Sequence, residues 1–193
     1  MCLMISKPAN VTFHDTWLKD FYTSNKDGYG FMYVEDGKLH IHKAVSTEEG
    51  FVQAFKSRED REMLVHLRMR THGDVDLHNC HPYEVLTREE GGELGALWLM
   101  HNGILTQGNE GDKSKSDTWH YIQKVLRPIL LQHPTILRNN TFQSLIAEDI
   151  GSSNRFGLMS SSGDTIILNK HSGVDWNGAW MSNTYAWDAH SAG

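Results

Sequence analysis

Apolar and polar positions along the chain alternate between the two-residue period of strands and the three-to-four-residue period of helices. From Gly30 to Val34 and from Lys38 to Ala44, strand-like runs flank Asp36-Gly37, a dipeptide suited to the positive φ angles of a tight turn, which predicts a β-hairpin. Ser46 followed by Glu49 has the form of a capping box. Phe51, Val52 and Phe55 then share one face, predicting a helix that ends near Ser57. Glu62 to Met69 and Leu94 to His101 are dense in apolar residues over strand lengths, with a polar loop expected between them. From Ser116 onward, Trp119, Ile122, Val125, Leu126, Ile129 and Leu130 recur at intervals of three and four, predicting an amphipathic helix that Pro128 is expected to kink. A second helix is expected from Thr141 to Ile150, where Phe142, Leu145 and Ile146 align before Gly151-Ser152-Ser153 breaks the pattern. Arg155 to Ser161 and Thr165 to Asn169 read as strands around a Ser162-Gly163-Asp164 turn, with another strand near Ala179 to Tyr185. Strand pairs at both ends of a helical middle favour helices packed on sheets.

Composition narrows the function. With 193 residues, 39% of them hydrophobic, the chain is expected to form one domain over 1–193. Its 24 acidic and 18 basic residues give a net charge of -6, which argues against nucleic-acid and anionic-membrane partners and favours a small polar substrate. No apolar run approaches the roughly 20 residues of a membrane span, and Met1 to Pro8 lacks the regions of a signal peptide, so a cytoplasmic protein is expected. In that reducing compartment Cys2 and Cys80 are expected as free thiols.

The position of Cys2 adds chemistry. Removal of Met1 would leave a thiol and a free amine on one residue, and an α-amine with a pKa of about 8 can accept the thiol proton near neutral pH. The alternative is an ordinary buried cysteine. Four further segments carry reactive or polar groups: Asp27-Gly28-Tyr29-Gly30, His66 to Gly73, Asn79-Cys80-His81-Pro82, and His101-Asn102-Gly103 followed by Ser116-Asp117-Thr118. Singly they read as turns, and Asp117 as a helix cap. Together with Cys2 they supply a nucleophile, a base, oxyanion donors and paired charges for a carboxylate and an ammonium, the parts needed for amide hydrolysis at a small amino acid.

This ordered set resembles the class II glutamine amidotransferase domain, a branch of the N-terminal nucleophile hydrolases. The pattern His-x-Arg-x-x-Thr-His-Gly, Asn-x-His-Pro, His-Asn-Gly, Asp-Thr is matched through Arg68, Thr71, His72, His81, Asn102, Gly103 and Asp117. The resemblance implies an α+β fold, a four-layer α/β/β/α sandwich, with the mature chain starting at Cys2. It implies attack of the Cys2 thiol on the side-chain amide of L-glutamine, a thioester, and release of glutamate and ammonia, without metal or organic cofactor. Asn102 and the Gly103 N–H would hold the oxyanion, a role whose loss typically costs about 10² to 10³ in rate. Arg68, supported by Thr71 and His72, would clasp the substrate carboxylate, Asp117 would hold its ammonium, and His81 would belong to the same binding set. A chain of this length implies a stand-alone form with a separate ammonia-accepting synthase or ligase as partner. Two departures are visible. Leu3-Met4-Ile5 puts larger side chains beside the nucleophile than the family's Gly-Ile, and Met69-Arg70 stands where better-known members carry Trp-Ala.

Other readings compete. A zinc-binding module would draw on His66, His72, His78, Cys80 and His81, although their spacing is not that of a structural site and Cys2, Asn102 and Asp117 go unused. A binding module could present Trp176, Trp180 and Trp187 as an aromatic surface, core packing being the plainer account. A third reading keeps the cysteine chemistry and replaces glutamine by another γ-glutamyl amide.

Overall fold

The computed structural model describes residues 2–69, 77–106 and 114–188. Its strands are β1 (Leu3–Lys7), β2 (Tyr29–Glu35), β3 (Lys38–Ala44), β4 (Met63–Leu67), β5 (Tyr83–Leu86), β6 (Leu97–Asn102), β7 (Arg155–Ser160), β8 (Thr165–Leu168), β9 (Val174–Trp176) and β10 (Ala179–Met181). They form two antiparallel sheets, one in the order β3-β2-β4-β1-β10-β9 and the other β5-β6-β7-β8. The helices α1 (Asp15–Ser24), α2 (Glu48–Lys56), α3 (Asp117–Tyr121), α4 (Arg127–Leu130), α5 (Asn140–Ile150) and α6 (Tyr185–Asp188) lie between strands or after them.

Burial separates three apolar clusters. Leu3, Ile5, Phe31, Val65 and Leu67 of the six-stranded sheet pack with Leu18 and Phe21 of α1 and Phe51 and Phe55 of α2. Leu97, Leu99, Phe156 and Leu158 of the four-stranded sheet pack with Ile122, Leu126, Leu130, Phe142, Ile146 and Ile150. Met4, Met32, Leu64 and Trp180 from the first sheet meet Met100 and Met159 from the second. Strand alternation produces this division, because Leu3 and Ile5 point to one face and Met4 to the other. Met4 has room there because Gly157 faces it: a Cβ at Gly157 would lie 2.9 Å from the Met4 sulfur. The Met4 side chain is thus accommodated by a missing one on β7.

Several expected elements form as read. The β2–β3 hairpin closes with Glu35 opposite Lys38, and Asp36 and Gly37 take φ of 51° and 67°. The β7–β8 pair flanks its turn, and α5 stops at Gly151. Other boundaries need correction. The cap of α2 is Thr47, whose hydroxyl accepts from the Gly50 N–H at 3.2 Å, while the Ser46 carbonyl is taken by the Tyr22 hydroxyl outside the helix. The region before β6 holds a 3₁₀ turn, Gly92–Leu94, and Gly95 at φ 68° delays the strand to Leu97. The expected polar loop contains β5. In the amphipathic helix the departure from α geometry precedes Pro128: Ile122–Leu126 is a π turn, and Pro128 sits in the first turn of α4, where a missing N–H is tolerated. Leu145 is 59% exposed, its neighbours Phe142 and Ile146 supplying the packing. The last expected strand ends at Met181, and Tyr185 opens α6. Helix α1 was not anticipated although Trp17, Leu18, Phe21 and Tyr22 recur at intervals of three and four, whereas strand β9, three residues long, had no clear periodic signal.

Trp176 packs among Phe13, Trp17 and Phe21, and buried Trp180 donates its indole N–H to the Lys170 carbonyl at 2.9 Å, so both serve the interior; the Trp187 side chain lies outside the described residues. Among the described residues no helix is long and apolar enough to cross a membrane.

Candidate active site

Register brings Cys2 to its neighbours. β1 pairs antiparallel with β4, Leu3 opposite Leu67, so the chain just before β1 runs beside the chain just after β4. Cys2, free and half-buried, accepts from the Met69 backbone N–H at 3.4 Å, with the Met69 carbonyl 3.5 Å away. Burial raises the pKa of the Cys2 thiol, and the Met69 backbone and the Arg68 charge oppose that rise only in part. Near neutral pH the sulfur is therefore a thiol that needs a base before it can attack.

Arg68 is fixed by its main chain. Its N–H donates to the Gly28 carbonyl at 2.8 Å, and its carbonyl accepts from the Asp27 N–H at 2.9 Å, so the Asp27-Gly28 segment serves to seat it. The residue is 7% exposed and its guanidinium lies close enough to influence both Cys2 and Tyr83. Tyr83, which the sequence reading overlooked, is held neutral, its phenol pushed up to about 12 by burial while Ser116 and the Arg68 charge pull it down and Asp117 adds to the rise. Tyr83 thus lies within electrostatic reach of both Arg68 and Asp117.

Asn102 ends β6, 1% exposed, and its side-chain Nδ2 donates to the Cys2 carbonyl at 2.7 Å and to the Ser182 hydroxyl at 2.6 Å. Asn183 Nδ2 donates to the same Cys2 carbonyl at 2.8 Å. Ser182 and Asn183 follow β10, and the sequence reading treated their segment as a terminal strand. A polar pair directly after a buried Trp-Met strand end was the available signal. Gly103 has φ 137°, and a Cβ there would sit 2.2 Å from Asn154 Oδ1, so only glycine carries the chain through this bend.

Beneath Asn102 lies a group of buried histidines tied to one backbone position. His66 Nε2 donates to the His101 carbonyl at 3.0 Å, and His81 Nδ1 accepts from the His101 N–H at 2.9 Å. The His66 and His81 rings meet at a 34° tilt with centroids 4.3 Å apart. His101 lies between Thr118 Oγ1 on Nδ1 and Asn154 Oδ1 on Nε2, both at 2.8 Å. Burial lowers the pKa of all three, that of His66 to about 3 and that of His81 well below the usual imidazole value, and the Asp117 charge acts against the shift at His101. His81 therefore sits under the site, bonded to the backbone of β6. Two of the five ligands of the zinc reading spend ring nitrogens on His101, and among the described residues no group of three or more His, Cys, Asp or Glu is arranged for a metal.

Asp117 is the first residue of α3, after Ser116, whose hydroxyl accepts from the Trp119 N–H as the cap. The aspartate does not cap the helix. Its Oδ2 accepts from the Leu105 N–H and its Oδ1 from the Thr118 N–H, both at 2.7 Å, which binds the chain following Gly103 to α3. Of the sequence-derived set, Cys2, Arg68, His81, Asn102, Gly103 and Asp117 are linked through these contacts; Thr71 and His72 lie outside the described residues.

No model of a known protein family matches the chain, and no curated protein matches it. Solved structures do. One is the allosteric regulatory enzyme of purine biosynthesis, with a TM-score of 0.53 and 18% identity over 98% of this chain and 43% of that one. Another is glutamine phosphoribosylpyrophosphate (PRPP) amidotransferase from B. subtilis, complexed with ADP and GMP, with a TM-score of 0.51 and 15% identity over 97% of this chain and 42% of that one. The chain spans less than half the length of either and shares with part of each a mixed α+β fold of two antiparallel sheets.

Proposed function

We propose that the protein hydrolyses the side-chain amide of L-glutamine, with Cys2 as nucleophile, and passes the ammonia to a separate acceptor enzyme. The observation that carries this reading is the contact of Cys2 with Asn102 and the Met69 main chain at the point where the two sheets meet, beside buried Arg68. The stacking of helices on the outer faces of the sheets is read as the α/β/β/α sandwich of the N-terminal nucleophile hydrolases.

In this mechanism Met1 is removed and the Cys2 α-amine takes the thiol proton, as the raised thiol pKa requires. Sulfur adds to the amide carbon, and the charge on the former carbonyl oxygen is held by Asn102 Nδ2 and the Gly103 N–H. The α-ammonium returns the proton to the leaving nitrogen, ammonia departs, and water opens the thioester to glutamate. Arg68 pairs with the substrate α-carboxylate and Asp117 with its α-ammonium; a ligand lacking either charge forgoes that pairing, the source of selection. Thr71 and His72 support the carboxylate, and His81 anchors the strand that carries the oxyanion donors.

The test is incubation with an electrophilic glutamine analogue, followed by intact mass and peptide mapping. Loss of Met1 and a single adduct on Cys2, prevented by excess glutamine and accompanied by release of glutamate and ammonia from glutamine itself, is the expected result. Retained Met1 with no adduct would refute it.

A further inference from the structure

The hydrogen bonds around Asn102 do not yet suit an oxyanion donor. Its Nδ2 is occupied twice, by the Cys2 carbonyl and by Ser182 Oγ. Its Oδ1 is buried and has no hydrogen-bond partner. Ser182, 1% exposed, has the opposite problem: the Met4 N–H at 2.9 Å, Asn102 Nδ2 at 2.6 Å and Asn183 Nδ2 at 3.1 Å all converge on one hydroxyl oxygen, which has two lone pairs and a proton of its own to place. A buried carbonyl oxygen without a donor and a hydroxyl crowded by donors are adjacent, and each is costly alone.

We propose that Ser182 is the positioning residue for the oxyanion amide. Ser182 Oγ holds one Nδ2 hydrogen of Asn102 and fixes the amide, while the other hydrogen, which rests on the Cys2 carbonyl, is the one released to the substrate oxygen. The Cys2 carbonyl keeps Asn183 Nδ2, so the nucleophile's main chain stays anchored when Asn102 lets it go. The arrangement in the described structure is the resting state, with the oxyanion donor stowed on the backbone of the nucleophile. This inference rests on the proposed glutamine hydrolysis and adds the residue that sets its oxyanion donor.

The test compares Ser182→Ala and Ser182→Thr with the unaltered chain, using three readouts: kcat against KM for glutamine, the affinity of a γ-aldehyde glutamine analogue that forms a thiohemiacetal oxyanion on Cys2, and thermal stability. Ser182→Ala should lower kcat by roughly ten- to a hundredfold, part of what loss of an oxyanion donor costs, with KM changed less than about threefold. It should weaken the aldehyde in proportion to kcat, and Ser182→Thr should restore both by returning the hydroxyl. Unchanged kcat and aldehyde affinity in Ser182→Ala would overturn the proposal. So would equal losses for glutamine, aldehyde and stability that threonine does not repair, since those mark a packing role only. The parent reading is judged separately: if the unaltered chain takes no Cys2 adduct from the electrophilic analogue, both fall, whereas an adduct with a silent Ser182→Ala removes this inference alone.

Discussion

Acidification from pH 7 to pH 5 should destabilise the protein through His66. The ring donates Nε2–H to the His101 carbonyl, packs at a tilt against His81, and has a buried Nδ1 with no partner. Burial, with the His101 and Arg68 charges behind it, lowers its pKa from 6.5 to about 3. Because the folded value is the lower one, the unfolded chain binds the proton first. The contribution of a neutral His66 is complete above pH 6.5 and is lost as pH falls from 6.5 toward 3. Between pH 7 and pH 5 the unfolded state gains most of one proton that the folded state refuses, worth about 2 kcal/mol by linkage. The carboxylates Glu90 and Asp164, also held low, titrate in the unfolded chain below this window. Urea unfolding of the unaltered chain and of His66→Gln at both pH values isolates the effect, since the amide retains a donor for His101 and does not titrate. The pH-dependent loss should be smaller in His66→Gln by about 2 kcal/mol. Equal losses in the two chains would refute a neutral buried His66.

Other consequences follow from particular contacts. Gly103→Ala places a side chain at φ 137° and 2.2 Å from Asn154 Oδ1, so it should cost about 2 kcal/mol or more in unfolding free energy and abolish glutamine turnover; near-normal values of both would refute the bend's requirement. Asp117→Asn removes the charge and leaves one acceptor for the Leu105 and Thr118 N–H groups, so the thermal midpoint should fall and KM for glutamine should rise roughly ten- to a hundredfold; an unchanged KM would remove the ammonium contact. Thr47→Ala should lower stability by about 1 kcal/mol in urea unfolding, while Ser46→Ala should not, because Thr47 alone caps α2.

The sequence exposes elements whose periodicity is complete within one segment. The β2–β3 hairpin, α2 and α5 were legible because turn residues and apolar spacing lie inside each, although the caps fall on Thr47 and Asn139, which were not read as such. β5, four residues long with Pro82 before it, and β9, three residues long, are too brief to show a period, and they exist because neighbouring strands offer unpaired edges. The site divides in the same way. Cys2, Arg68, Asn102 and Asp117 stand in recognisable motifs. Ser182 and Asn183 reach the nucleophile only through the antiparallel pairing of β1 with β10, a contact across about 180 positions that no local pattern encodes. The π turn at Ile122–Leu126 escaped because it preserves apolar spacing while adding a residue to the turn.

The two amides that grip the Cys2 carbonyl come from Asn102 and Asn183, and the second is synthesised 181 positions after Cys2. A polypeptide still emerging from the ribosome carries Cys2, Arg68, Asn102 and Asp117 long before it carries the segment that completes their arrangement. Nascent and prematurely terminated chains would therefore display Cys2 with half of its anchorage, and the amide hydrolysis proposed above would be withheld until synthesis has passed Asn183.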